Sequence, residues 1–286
     1  MVMRRVIGLG MAAGVALLAA GEVAAETRVT LKSASSTSSY YVMTVQLAEM
    51  LRSASGGDIQ PTVEESQGSV QNVTEAGRRP GAFLFTSPPN LIDDALAGSE
   101  PFDTGGDYSG IRTLFPMPFV TIHFVVTADS GIEQVADLAG KTFIAGGTGT
   151  FCQRQTVAVL EGLGLAGEVT TPEMELSGAA NALRNRQADG YATCSSHPTP
   201  QVQELAATTD IRILSFTEEE RATIMAANPS AGAITIAGGT YAGVDEDVAT
   251  VAVPVGAYAT NMDDATALFV VEQFWQQRED LAEENP

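Results

Sequence analysis

Short β-branched segments alternate with amphipathic helical stretches along most of this 286-residue chain, and that alternation constrains its fold more than any other feature. Strands bury apolar side chains at period two and helices at a period near 3.6. A chain that switches repeatedly between the two periods is expected to be an α/β protein, with helices laid over a sheet. Residues 28–32 alternate as a strand, and a serine-rich turn then leads into 40–52, where Val42, Val45, Leu47, Met50 and Leu51 make a helical stripe. Gly56 and Gly57 end that unit. A strand over 59–64, a short apolar strand over 81–86 closed by Ser87-Pro88-Pro89, and a helix over 90–98 follow. A second block opens with the long apolar segment 119–127. It continues as helix 135–141, strand 142–145, helices 153–163 and 178–186, strand 190–194, helix 200–207 and strand 211–214, and Glu218-Glu219-Glu220 reads as a solvated helix start. The last apolar strand, 250–258, leads into a long helix over 263–281 with Leu268, Val271 and Trp275 on one side.

These pieces are enough for two lobes. Residues 26–122 are expected to form the first lobe and 123–249 the second, with 250–286 a return strand and C-terminal helix of the first. Segments 119–127 and 250–258 then become paired strands crossing between the lobes, a natural hinge, and ligands belong in the crevice between them. Ahead of all this, Arg4 and Arg5 precede an apolar run over 6–20, and Val23-Ala24-Ala25 has the small-x-Ala pattern of a signal-peptidase site. Residues 1–25 are therefore expected to be a signal peptide that sends a soluble, monomeric chain starting near Glu26 to the periplasm. A formal net charge of −20 repels nucleic acid and anionic membranes at long range. The chain has two cysteines, Cys152 and Cys194. An oxidising compartment permits a disulfide between them, and a pair of reduced buried thiols is the alternative. Their spacing, with two distant histidines, matches no compact metal motif.

Candidate ligand contacts cluster at strand-to-helix turns, where free N–H groups and the helix dipole favour an anion. Ser33-Ala-Ser-Ser-Thr-Ser-Ser-Tyr-Tyr41 offers Ser36, Ser38 and Ser39 with Tyr40 and Tyr41; Ser66-Gln-Gly-Ser-Val-Gln-Asn72 offers Gly68 and Ser69. Thr86 ends the third strand. Gly146-Gly-Thr-Gly-Thr150 lacks the lysine of a phosphate loop, but Gly147, Thr148, Gly149 and Thr150 can form a nest of N–H donors for a carboxylate. Thr193-Cys-Ser-Ser-His-Pro198 adds Ser195, Ser196 and His197. Basic residues are absent from these loops, so a carboxylate would be held by hydroxyls and amides, with His123 or His197 as a further donor and Tyr241 closing over it. No Gly-x-Ser-x-Gly elbow is present, adjacent Ser196 and His197 need not face each other, and Asp93 and Asp94 diverge on one helix. No enzyme, cofactor or metal site is expected.

Taken together, the stretches Ser36-Thr-Ser-Ser-Tyr-Tyr41, Glu65-Ser-Gln-Gly-Ser-Val-Gln-Asn72, Thr127-Ala-Asp-Ser-Gly-Ile132, Val135-Ala-Asp-Leu-Ala-Gly-Lys141, Gly146-Gly-Thr-Gly-Thr150 and Gly239-Thr-Tyr-Ala-Gly-Val-Asp-Glu-Asp-Val-Ala-Thr-Val-Ala-Val-Pro254 fall in an order that resembles the TAXI family. These are solute-binding subunits of tripartite ATP-independent periplasmic (TRAP) transporters. The resemblance implies a type II-like two-lobe periplasmic-binding-protein fold, capture of a small carboxylate such as glutamate, a 2-oxoacid or a dicarboxylate, and delivery to TRAP permease subunits driven by an ion gradient. The family places glycines where this chain has Ser38 and Ser39, and an aromatic or small apolar segment at 193–197. A binding component of a sensor system is the alternative partner class with the same pocket.

Overall fold

The computed structural model describes residues 26–103 and 105–283; the signal peptide expected over 1–25 lies outside the described residues. The first unit is built from parallel strands β1 (Thr27–Lys32), β2 (Ile59–Glu64) and β3 (Ala82–Ser87), linked by α1 (Ser39–Ala54) and α2 (Ser69–Ala76) and followed by α3 (Pro89–Ala97). Parallel neighbours need such helical crossovers, which cover the faces of the sheet. The second unit holds β5 (Phe143–Ile144), α4 (Phe151–Gly162), α5 (Leu176–Arg184), β6 (Gly190–Ser195), α6 (Pro200–Ala206), β7 (Ile211–Ile213), α7 (Glu218–Ala227) and β8 (Gly232–Ile236).

Two long strands, β4 (Arg112–Thr127) and β9 (Val248–Thr260), belong to both units. They pair antiparallel at the middle of a nine-stranded path ordered β2-β1-β3-β9-β4-β6-β5, with β7 on β4 and β8 on β9. Residues 256–260 of β9 pair with β3, while 248–252 pair with β8. Likewise, 121–126 of β4 pair with β6. The partners change near Val120 and Val253, and the β4–β9 register shifts between Met117 and Val120, around Pro118. Proline supplies no N–H to a ladder, so the strand pair bends there. β4 begins seven residues earlier than its apolar run suggests, because half of Arg112 to Met117 is exposed and the segment carries Pro116.

Each unit has its own core. Val29, Leu31, Leu51, Leu84 and Phe115 pack in the first, Phe124, Phe143, Leu160 and Phe216 in the second. The C-terminal helix α8 (Asp264–Glu283) returns to the first core through Val270, and Phe274 stacks on Phe115 with ring centroids 3.8 Å apart. Its buried face differs from the expected stripe: Leu268 and Trp275 stay 59% and 47% exposed, and of the three expected residues Val271 alone packs on the core. Apolar side chains surround much of this helix, so periodicity does not single out the face that docks. Residues 135–141, expected as a helix, make a single 3₁₀ turn over Val135–Leu138. β8, absent from the sequence reading, is a largely exposed strand with no alternating pattern. Among the described residues no helix is long and apolar enough to cross a membrane.

Candidate functional site

Between the two units lies a cavity of about 400 Å³. The turns after β1, β2 and β3 form one wall; the glycine loop before α4, the end of β6 and the start of α5 form the other. Val120 and Val255, from the crossing strands, make its floor. This is the carboxyl-end crevice that parallel α/β units leave open, and helices point their N-termini into it. Ser38 caps α1 and Thr150 caps α4 through their side chains, whereas α2 and α5 open without a side-chain cap. The first-turn N–H groups of those two helices therefore have no side-chain acceptor of their own.

The local sequence dictates this geometry. Gly68 sits at φ 106°, a conformation that side chains oppose, and it lets the chain turn from β2 into α2. Asn72 is fully buried; its Nδ2 donates to the carbonyls of Ser33 (2.7 Å) and Thr86 (3.1 Å), tying α2 to the ends of β1 and β3. Gly146, at φ 100°, lies so close to Cys152 that a Cβ there would come within 2.6 Å of Sγ. Cys152 and Cys194 are joined in a disulfide, with Cα atoms 5.4 Å apart, and both line the cavity. The bond links the first turn of α4 to β6 inside one unit.

Of the expected contacts, Ser36, Ser38, Tyr40, Gly68, Ser69, Thr86, Thr150 and Ser195 line the cavity. Tyr40 does so as a buried ring whose hydroxyl donates to the Pro118 carbonyl at 2.6 Å, which anchors α1 to the hinge. The rest stand elsewhere, for identifiable reasons. Tyr41 follows Tyr40 on the helix and so points away from the cavity. Thr148 and Gly149 are exposed, and the expected nest is already satisfied: the Thr148 N–H donates to Met174, the Gly149 N–H to Gln153 Oε1, and the Thr150 hydroxyl to the Gly146 and Gly147 carbonyls. Gly147 itself is packed under Leu176.

His123 and Tyr241 are corrected most sharply. Both are buried beneath the cleft rather than facing it. The Tyr241 hydroxyl donates to His123 Nε2 (2.9 Å) and accepts from the Thr199 N–H (3.0 Å), while His123 Nδ1 lies 3.1 Å from the Thr121 carbonyl. The carbonyl contact puts a proton on Nδ1, and in the neutral ring Nε2 is then the acceptor for the Tyr241 hydroxyl. Burial, with His197 nearby, pushes the His123 pKa down to about 4. His197 also turns from the cavity and shares a 2.9 Å contact with the Thr121 hydroxyl. Among the described residues the hydroxyl partners of the two histidines are Thr121 and Tyr241, not a serine.

A pH dependence follows. The folded His123 stays neutral well below the pH at which an unfolded histidine, near 6.5, takes a proton. Its contribution is complete above about pH 6.5 and is lost as the pH falls toward 4, about 3 kcal/mol in all. Urea unfolding at pH 7, 5.5 and 4 is expected to show this slope in the native protein and a shallower one in His123→Gln. Equal slopes in the two proteins refute the assignment.

Ser39 and Ser196 mark the place where the two units touch. Ser39 Oγ lies 2.7 Å from Ser195 Oγ and 2.8 Å from Ser196 Oγ, and it donates to the Ser196 carbonyl at 2.9 Å; Ser38 Oγ is 2.9 Å from Ser195 Oγ. The Gln201 N–H donates to the Thr37 carbonyl across the same seam at 3.1 Å. Hydroxyls suit this role because each can donate once and accept twice. Sequence reasoning overlooked Gln201, Gln67, Gln71, Ser177, Phe151 and Leu176 as lining residues. The polar ones open or precede helices, a signal that was available; an apolar residue such as Phe151 or Leu176 carries no such signal.

Crossing strands, two α/β units and the crevice between them define the class, a two-lobe periplasmic-binding-protein fold of the type II kind. Solved structures share it over most of their length. The alkanesulfonate-binding protein SsuA from Xanthomonas axonopodis pv. citri, bound to MOPS, aligns at 17% identity and TM-score 0.52, covering 91% of this chain and 76% of that one. The periplasmic binding protein BugD aligns at 12% identity and TM-score 0.55, covering 89% and 86%. A putative L-cystine ABC transporter protein from Listeria monocytogenes aligns at 13% identity and TM-score 0.52, covering 90% and 95%. By sequence the chain belongs to the NMT1-like family, which it matches over residues 31–285.

Proposed function

We propose that this chain is an exported, non-catalytic solute-binding protein that captures a small carboxylate between its lobes and delivers it to TRAP permease subunits in the manner of the TAXI family. The observation that carries the reading is the interlobe cavity itself, into which uncapped helix starts and a ring of serine and threonine hydroxyls converge without a basic side chain. A carboxylate there accepts from N–H groups at α2 and α5 and from hydroxyls on both lobes. Because those contacts are complete only when the lobes meet, ligand shifts the population toward the closed form that a membrane partner can recognise. The N-terminal signal pattern and the names of the solved relatives support a periplasmic place for this work.

The test is a thermal-shift screen of mono- and dicarboxylates and amino acids on the protein lacking residues 1–25. A true ligand at 100 times its Kd stabilises the folded state by about 2.7 kcal/mol, a shift of several degrees. Stabilisation by sulfonates or sugars with none by any carboxylate overturns the reading.

A further inference from the structure

The charge of the cavity wall restricts the ligand further. Among the described residues, Glu65 is the one acidic or basic side chain that lines the cavity; the remaining polar surface is hydroxyl and amide. Nearby cations are committed elsewhere. Lys32, immediately before the serine-rich turn, donates to Glu75 at 2.6 Å and lies 3.9 Å from Glu64. Arg79 holds Glu64 in a paired contact at 2.7 and 2.8 Å and reaches Glu75 at 3.2 Å. This network lies behind the wall, and breaking it to meet a ligand would leave Glu64 and Glu75 without their partners. The apolar part of the surface, Val120, Val255, Phe151, Leu176 and the disulfide, is suited to an uncharged body.

We infer that the cleft selects a zwitterionic amino acid with an uncharged side chain and rejects dicarboxylates, with Glu65 as the residue that receives the ammonium group. The inference rests on the carboxylate reading above and narrows it. One carboxylate can be held by helix N–H groups and hydroxyls. A second carboxylate in the same closed cavity meets no cation and faces the Glu65 charge, whereas an ammonium at that position is attracted to it. Gln67, beside Glu65 on the lining, supplies an amide oxygen for a further ammonium proton, while the Gln71 amide is engaged with the Gln67 N–H and Glu75.

Calorimetric titration of the protein with the uncharged-side-chain amino acids and, separately, with glutarate and 2-oxoglutarate tests this. The best zwitterion is expected to bind at least roughly tenfold more tightly than either dianion. Glu65→Gln should narrow that gap by roughly tenfold, and Glu65→Lys should reverse the order. Glu65 is exposed, and thermal unfolding of the ligand-free variants checks that they fold. Dianions binding as well as or better than every zwitterion overturn the inference while leaving the carboxylate reading in place. A zwitterion preference unchanged in both variants overturns the role given to Glu65. Binding by no carboxylate of any kind removes the underlying reading, and this one with it.

Discussion

Replacing Ser195 with phenylalanine is expected to weaken ligand capture roughly 100-fold while leaving the protein folded. Ser195 ends β6 with its hydroxyl 2.7 Å from Ser39 and 2.9 Å from Ser38, so it stands where the lobes come together. A phenyl ring at that position cannot share the seam, and the lobes stay apart. The ligand then keeps the contacts of one lobe and loses those of the other. Two or three lost hydrogen bonds at about 1 kcal/mol each account for the expected loss. Circular dichroism should be native-like, because Ser195 is the last residue of β6 and faces the cavity and the seam. Wild-type affinity in Ser195→Phe refutes the view that closure at this seam completes the site.

The second large effect concerns the disulfide. Cys152 and Cys194 are 42 residues apart, and closing a loop of that length restrains the unfolded chain by about 4 kcal/mol in the chain-entropy account, with about 2–4 usual in practice. The double variant Cys152→Ser, Cys194→Ser should lose stability in that range by urea denaturation. It should also bind ligand more weakly, since both residues line the cavity and the bond holds the α4 start against β6. Alkylation of the unfolded protein checks the premise: neither cysteine reacts before reduction and both react after it. Two reactive thiols without reduction mean the pair is not bonded, and a double variant of unchanged stability and affinity removes the structural role.

Much of the architecture was legible because it depends on local periodicity. Residues 28–32, 59–64 and 190–194 read as strands from alternation or apolar runs, and 40–52 as a helix from its stripe, and each of these elements is present within a few residues. Pairing of the two long apolar segments followed from a count of strands on either side. The site was legible in part, since serine-rich strand-to-helix turns show themselves in one dimension. Gly68, Ser69, Thr150 and Ser195 were expected in this way, and all four line the cavity.

What escaped the sequence depended on which side of an element faces inward. His123 and Tyr241 carry the residue types of a binding site, yet their hydrogen-bonding capacity is used up by each other and by the Thr121 carbonyl and the Thr199 N–H, 118 residues apart along the chain in the case of the pair itself. The N–H groups of the glycine loop were spent on Met174 and Gln153. α8 turned Val270 and Phe274 to the core and left Leu268 and Trp275 outside.

By itself, then, the sequence determined the α/β alternation, the glycines that permit the turns, and the absence of basic side chains from the loops, because these are properties of composition and of neighbours along the chain. Only the tertiary structure decided that Ser38 and Ser39 meet Ser195 and Ser196 across the seam, that the two cysteines join, and that Glu65 faces the cavity while Lys32 and Arg79 are held behind it. Those outcomes depend on which polar groups satisfy one another once water is excluded, and partners distant in sequence are chosen only when the strands and helices have packed.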